Sequence, residues 1–347
     1  MPHGSNGGRA WNGWSKMPSM DRCPGTDWSP IANAPTNSQL AGVIAGFVFA
    51  GLVMLLSQRD PGKVRMQALS LLLASFIMLA LDSYLYSLIA GDTATLDACP
   101  RIWTESMYAG GLLGVGGVAM TSAIAWLFAA HFEGFHMSRP DMGSGAEGPG
   151  SHFVGFGSVE RFARTALYSV ATVVSILLSV TGLDYLNVMY DREPPGWLMA
   201  AVILYPLGIL SMIIILRFRA RRGHAYRNRS RNPPEHLGAA LHVSVYGAIF
   251  YATISMVLVG IAATVPTDKW NAAPSWVPVT TTMISLLLPA PILVALVYAV
   301  PRLHQPMSSP RGKRTSLTVL RRMVRVSSGL LVLLATLASA QAVDLYK

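Results

Sequence analysis

Charge is scarce in this chain. Only 13% of its 347 residues are Asp, Glu, Lys or Arg, about half the share found in soluble domains. Lysine is rarer still, with five residues against twenty-two arginines, and there are only two cysteines. The chemistry-bearing motifs are missing too. There is no phosphate-binding Gly-rich loop followed by lysine, no zinc-protease helix and no serine elbow. No second histidine sits at a depth that would pair with His242 on another helix to hold a haem. The seventh apolar segment has no lysine that could carry retinal. No connector is large enough for a soluble catalytic domain, so a membrane enzyme is the least supported class. No catalytic residue, resident metal or cofactor is expected.

What the chain has in quantity is long apolar runs. Hydrophobic residues make up 52% of it, gathered into seven segments at 39–58, 66–90, 108–130, 165–188, 197–217, 239–264 and 276–300. A helix needs about 20 apolar residues to cross a hydrocarbon core of about 30 Å. Helices are the expected form, because every backbone polar group in lipid needs an internal partner. An eighth run, 326–343, is free of charge and just long enough to span. The reading is an all-α polytopic integral membrane protein, a bundle of seven to eight transmembrane helices. Residues 1–38 are expected to be a disordered extracytoplasmic tail. The bundle occupies 39–300, and a basic cytoplasmic segment, 301–325, leads to the eighth span. No cleavable signal is expected at the start, where the tail is polar, so the first span itself would target the chain.

Charge placement sets the orientation. Alternate connectors carry Arg59, Lys63 and Arg65, then Arg139, Arg161 and Arg164, then seven arginines from Arg217 to Arg231, then seven basic residues from Arg302 to Arg325. That set holds twenty Lys and Arg, whereas the opposite set, from Arg9 in the tail to Lys347, holds seven. Cytoplasmic loops collect basic residues, so the N-terminus is expected outside. The same bias explains the net charge of +10 without nucleic acid. The bilayer is the expected partner, with anionic lipid a further contact for the Arg217–Arg231 run. Protein partners are left open by the sequence. Abundant arginine and alanine suggest a GC-rich bacterial source, and hence the cell (plasma) membrane. Cys23 and Cys99 both fall on the expected outer, oxidising side, which makes them a disulfide candidate.

Within the spans a few polar residues stand out. Asp82, in Leu-Ala-Leu-Asp-Ser-Tyr-Leu-Tyr, puts a carboxylate in the outer half of the second helix. A charge at that depth costs a few kcal/mol, so it should face the bundle interior and find a partner. Helical spacing aligns Ser75, Leu79, Asp82 and Tyr86 on one stripe. Either this is an outward-facing cation, proton or ligand site, or Asp82 is a structural staple bonded to neighbouring hydroxyls. In the seventh helix Pro289 and Pro291 lack the N–H that would bond the carbonyls of Ser285 and Leu287. Thr281, Thr282 and Ser285 supply hydroxyls beside that break, as at the midplane sites of many carriers. A plain kink is the competing reading, and Pro206 is a milder one.

Asp184 lies near a helix end, where water can reach it. His242, near the cytoplasmic end of the sixth helix, reads as an interfacial residue on a face shared with Tyr246 and Thr253, and His131, Glu133 and His136 match no strong metal spacing. Gly42 with Gly46, and Gly110, Gly114 and Gly117, should let helices pack closely. The favoured function is a small-molecule or ion carrier built on Asp82, Tyr86, Thr281 and Ser285. The alternative is a sensor or envelope-assembly protein without transport.

The twenty-to-seven charge asymmetry predicts sidedness directly. Alkaline-phosphatase fusions within 91–107 should be active outside, and fluorescent fusions within 218–236 should glow inside. Activity with the opposite sidedness would reverse the orientation.

Overall fold

The computed structural model of the chain describes residues 30–57, 63–92, 95, 98–137, 153–190, 193–227, 235–270, 274 and 276–299. The basic segment 301–325 and the candidate eighth span 326–343 lie outside the described residues. Every regular element described is helical: α1 (Pro30–Leu56), α2 (Lys63–Gly91), α3 (Cys99–Met137), α4 (Phe153–Met189), α5 (Gly196–Arg227), α6 (Glu235–Thr264), α7 (Thr267–Trp270), α8 (Trp276–Leu287) and α9 (Pro289–Tyr298). Taking α8 and α9 as one, seven of them are long and apolar enough to cross a membrane by length and composition.

Helix limits outrun the apolar runs where polar residues find partners. α1 begins at Pro30, so residues 30–38, expected as disordered tail, are helix. Proline is tolerated in a first turn, where its missing N–H has no intrahelical partner. The Ser38 hydroxyl donates to the Ser83 carbonyl and the Ser83 hydroxyl donates back to the Ser38 carbonyl, both at 2.9 Å. That reciprocal clasp ties the polar start of α1 to α2. α3 begins at Cys99 rather than 108, because Arg101 pairs with Glu105 one turn later at 3.6 Å and the charges offset each other inside the helix. At the other end α5 runs on through the arginine connector as far as Arg227.

The proline pair in the seventh span separates α8 from α9 without unwinding the backbone. α8 ends at Leu287 and α9 starts at Pro289, but Leu288 between them keeps helical dihedrals, φ −70° and ψ −43°. Its N–H still reaches the Ile284 carbonyl at 3.3 Å. The backbone stays wound here. Pro206 leaves α5 unbroken.

α3 is the axis of the bundle. It packs against α2, α4, α6, α8 and α9, and 61% of its most apolar window is buried, against 22% for α1. α1, α4, α5 and α6 turn large apolar side chains outward, among them Phe47, Leu177, Leu207 and Val257. Such a surface suits lipid.

Glycine lets the neighbours of α3 approach. A Cβ at Gly114 would lie 2.6 Å from Val174 of α4, and one at Gly116 3.2 Å from Met78 of α2. At Gly111 it would overlap the Tyr251 hydroxyl of α6. The spacing pattern singled out Gly110, Gly114 and Gly117, yet Gly117 has nothing within 4 Å and Gly110 only the Tyr86 hydroxyl at 3.9 Å. On α1, Gly42 meets Ser83 at 3.1 Å, whereas Gly46 meets nothing. The expected glycine face is therefore shifted around the helix, since α3 has neighbours on several sides.

These distances separate glycines of equal helix propensity. Gly114→Ala should lower the melting temperature by the equivalent of about 1–3 kcal/mol, the cost of overpacking a stiff β-branched neighbour. Gly117→Ala should be neutral or stabilising by up to about 1 kcal/mol. Thermal unfolding of the two purified variants in one detergent checks this. Equal shifts would refute the packing argument.

Candidate functional site

The candidate site is a layer of buried polar side chains between the middle of the bundle and one end of it. Two contacts show which helix ends share that side. Arg101 near the start of α3 donates to Asp92 just past α2, at 2.7 Å. The Thr104 and Tyr185 hydroxyls, 3.3 Å apart, bring the start of α3 to the end of α4. Measured from these ends, Asp82 stands nine residues from Gly91, Tyr108 nine from Cys99, and Ser285 nine from Trp276. At 1.5 Å per residue, each lies about 13 Å deep.

Asp82 is completely buried, and neither carboxylate oxygen has a hydrogen-bond partner. Its stripe companions Ser75, Leu79 and Tyr86 are buried with it, as helical spacing predicts. They do not bond it. The Ser75 hydroxyl donates to the Gly116 carbonyl at 2.9 Å, and the Tyr86 hydroxyl interacts with Ser106 of α3 and Asn37 of α1. The partner expected for Asp82 is absent among the described residues, and the staple reading loses its bonds. Tyr86 and Tyr251 are near enough to feel its charge. No described cationic side chain acts on it.

Further hydroxyls nearby are also unsatisfied. Tyr251 and Ser255 approach each other across one turn of α6 without reaching hydrogen-bonding geometry. On α8, Thr282 and Ser285 are fully buried with free hydroxyls. Tyr205 of α5, close to Tyr251, has a buried hydroxyl without a partner as well. Buried polar groups are normally bonded, and each orphan costs about 1–3 kcal/mol.

Of the residues singled out from sequence, Asp82 and Tyr86 come together. Thr281 belongs to an adjoining chain of hydroxyls, 3.4 Å from Tyr108 and close to Tyr185. Ser285 lies one turn deeper on the same helix as Thr281. Asp184 is only partly buried. His242 and Tyr246 stack, with ring centroids 6.3 Å apart, on an outward face that also exposes Thr253. Cys99 is disulfide-bonded. Cys23 lies outside the described residues, as do the side chains of His131, Glu133 and His136 and of the arginines from Arg217 to Arg231.

Sequence reading missed Glu105, Ser106, Asn37, Tyr251 and Ser255. Glu105 is a second carboxylate within a span, 4% exposed. It could have been found from Arg101-Ile-Trp-Thr-Glu105, an i,i+4 ion pair that lets the helix begin one turn and more before its apolar run.

The missing bonds of Asp82 set a stability test. Asp82→Asn should leave the melting temperature unchanged or raise it, since it removes a carboxylate that bonds nothing. Ser75→Ala, two turns away on the same face, should lower stability by about 1 kcal/mol through loss of its bond to Gly116. Equal losses in the two variants would mean that Asp82 has a bonded partner after all.

No family model matches the chain, no curated protein matches it and no solved structure matches it, so any functional reading rests on these side chains themselves.

Proposed function

We propose that the chain is a carrier of the cell (plasma) membrane, moving a small molecule or ion, with Asp82 as the group that binds the coupling ion. The observation that carries this reading is the isolation of Asp82: fully buried, with both oxygens unbonded and no cationic side chain among the described residues acting on it. An ionised carboxylate left so would be a large unfavourable term. A proton or small cation that comes and goes relieves that term only while bound. Occupancy then changes the stability of the surrounding helix arrangement, which is what coupling requires. The free hydroxyls of Tyr251, Ser255, Thr282 and Ser285 supply donors and acceptors for a polar solute from two further helices. The positive-inside bias puts this layer on the outer side of the membrane. The junction of α8 and α9 at Leu288 lies just below it and offers a place for α8 to pivot.

One observation favours the second reading, a sensor or envelope-assembly protein. The disulfide at Cys99 and the Asp92–Arg101–Glu105 ion cluster pin the same end of the bundle, as a docking face would need.

Reconstitution separates the two. Proteoliposomes holding a pH-sensitive or potential-sensitive dye are challenged with pools of small polar solutes and ions. At least one pool should produce a lumenal response with the native protein that Asp82→Asn reduces to the level of empty liposomes. A native protein silent across all pools, or an Asp82→Asn variant as active as the native one, would overturn the carrier reading.

A further inference from the structure

Asp82 and the free hydroxyls share a depth but not a side of α3. α2 meets α3 at Gly110 and Gly116: a Cβ there would touch the Tyr86 hydroxyl and Leu79 respectively, and Ser75 donates to the Gly116 carbonyl at 2.9 Å. Asp82 lies between Leu79 and Tyr86 on that same stripe, so it belongs to the interface of α2 with α3. Thr104, Tyr108 and Gly111 follow one another on α3 at i, i+4 and i+7, which makes them one face. Tyr108 stands about 160° around the helix from Gly110. Three other helices meet this second face. Thr104 reaches Tyr185 of α4 at 3.3 Å, Tyr108 reaches Thr281 of α8 at 3.4 Å, and Tyr251 of α6 lays its hydroxyl against Gly111.

Hydroxyls are plentiful here and charge is lacking. Tyr251 and Ser255, one turn apart on α6, are buried with free hydroxyls. So are Thr282 and Ser285, within a turn of Thr281 on α8. Tyr205 adds another from α5, a helix packed against α8 and α9.

We propose that this second face of α3 binds an uncharged, polyhydroxylated solute, a polyol or monosaccharide, and that this is the small molecule carried. It rests on the carrier reading for its purpose, and binding is measured apart from transport. An anionic solute would need a cationic side chain, and none of the groups on this face carries charge. A cationic solute would need a carboxylate, and Asp82 stands on the α2 side. A hydroxyl both donates and accepts, so it is best satisfied by groups that do the same. Free hydroxyls on α5, α6 and α8 at once call for several such groups on one molecule. Tyrosine suits the rest of a sugar-like solute, because its ring offers a flat apolar surface beside a polar tip. Ser285 is three residues before the junction at Leu288, so a pivot of α8 there would open this face. Ion and solute are then held on two sides of α3, which can relay the occupancy of one to the other.

Calorimetric titration of the full chain in lipid nanodiscs, free of sugar-based detergent, tests this. The probes are glucose, xylitol, sorbitol and myo-inositol, with choline and succinate as charged comparisons. Calorimetry reads saturable binding, which the general stabilisation of proteins by polyols does not imitate. At least one of the four uncharged probes should bind, and neither charged one should. Tyr251→Phe and Ser285→Ala should each weaken that binding about tenfold, the effect of one lost hydrogen bond. Tyr246→Phe, on the outward face of α6, should leave it unchanged. The two site variants lie on different helices and remove hydroxyls that bond nothing within the fold, and melting temperatures confirm that they remain folded. No binding of any uncharged probe, binding of a charged one instead, or site variants that bind as the native protein does would overturn the proposal. If a polyol binds in this way while proteoliposomes stay silent to it, the site stands and the carrier reading falls.

Discussion

The bundle depends on one helix that lacks side chains where its neighbours press hardest. α3 meets α4 at Gly114, α2 at Gly116 and α6 at Gly111, each at a distance no Cβ would allow without a shift. Close approach matters more in lipid than in water, because lipid tails give apolar side chains no reason to leave them. Helix association there rests on van der Waals contact and interhelical hydrogen bonds. The absence of a Cβ at Gly111 also has a chemical consequence. It admits the Tyr251 ring so deeply that its hydroxyl ends against the α3 backbone, in the electrostatic neighbourhood of Asp82. The packing that holds the helices together is also what brings the polar layer together.

Elsewhere in the bundle many polar groups are satisfied locally, although Ser122 and Trp126 of α3 and Trp270 of α7 also hold buried atoms without a partner. Thr121, Thr172, Ser175, Ser179 and Ser244 each donate to the carbonyl one turn back, at 2.8–3.1 Å. Such hydroxyls can sit anywhere in an apolar span, because they need nothing from a neighbouring helix. Others bridge helices with full satisfaction, as Ser38 with Ser83 and Ser75 with Gly116 do. Asp82, Tyr251, Ser255, Thr282 and Ser285 do neither.

How much of this was legible in the sequence depends on whether the determinant is local. The seven spans follow from apolar length alone, and the burial of Asp82 follows from the cost of a charge in lipid together with helical period. The start of α3 was not legible from hydropathy, because Arg101 and Glu105 interrupt the apolar count while cancelling each other in space. The start of α1 was hidden in the same way, since the clasp between Ser38 and Ser83 joins positions 45 residues apart. Tyr251 and Ser255 look like ordinary helix residues until α6 is laid against Gly111. The glycine contacts were mispaired because spacing identifies a face of α3 without saying which neighbour occupies it. In each case the missing information was which helix lies beside which, and no single segment carries that.

The contrast between satisfied and unsatisfied hydroxyls bears on why Asp82 is there at all. A stability argument would give the carboxylate a hydroxyl partner, and two tyrosines lie near enough to feel its charge. Tyr86 is one turn away, but its hydroxyl turns to Ser106 and Asn37 instead. Tyr251 lies close on α6, and its hydroxyl bonds nothing. Folding therefore buries the carboxylate and the Tyr251 hydroxyl without a partner for either, at a cost to the folded state of about 1–3 kcal/mol for each orphan. Strain of this kind persists where the surrounding structure over-determines it, and it clusters where a protein does chemistry or binds. Around Asp82 the over-determination is visible: glycine contacts fix the Tyr251 ring, and Ser106 and Asn37 hold the Tyr86 hydroxyl. The carboxylate is thus kept from the bonds that would neutralise it, and a species arriving from outside the fold can satisfy it in their place.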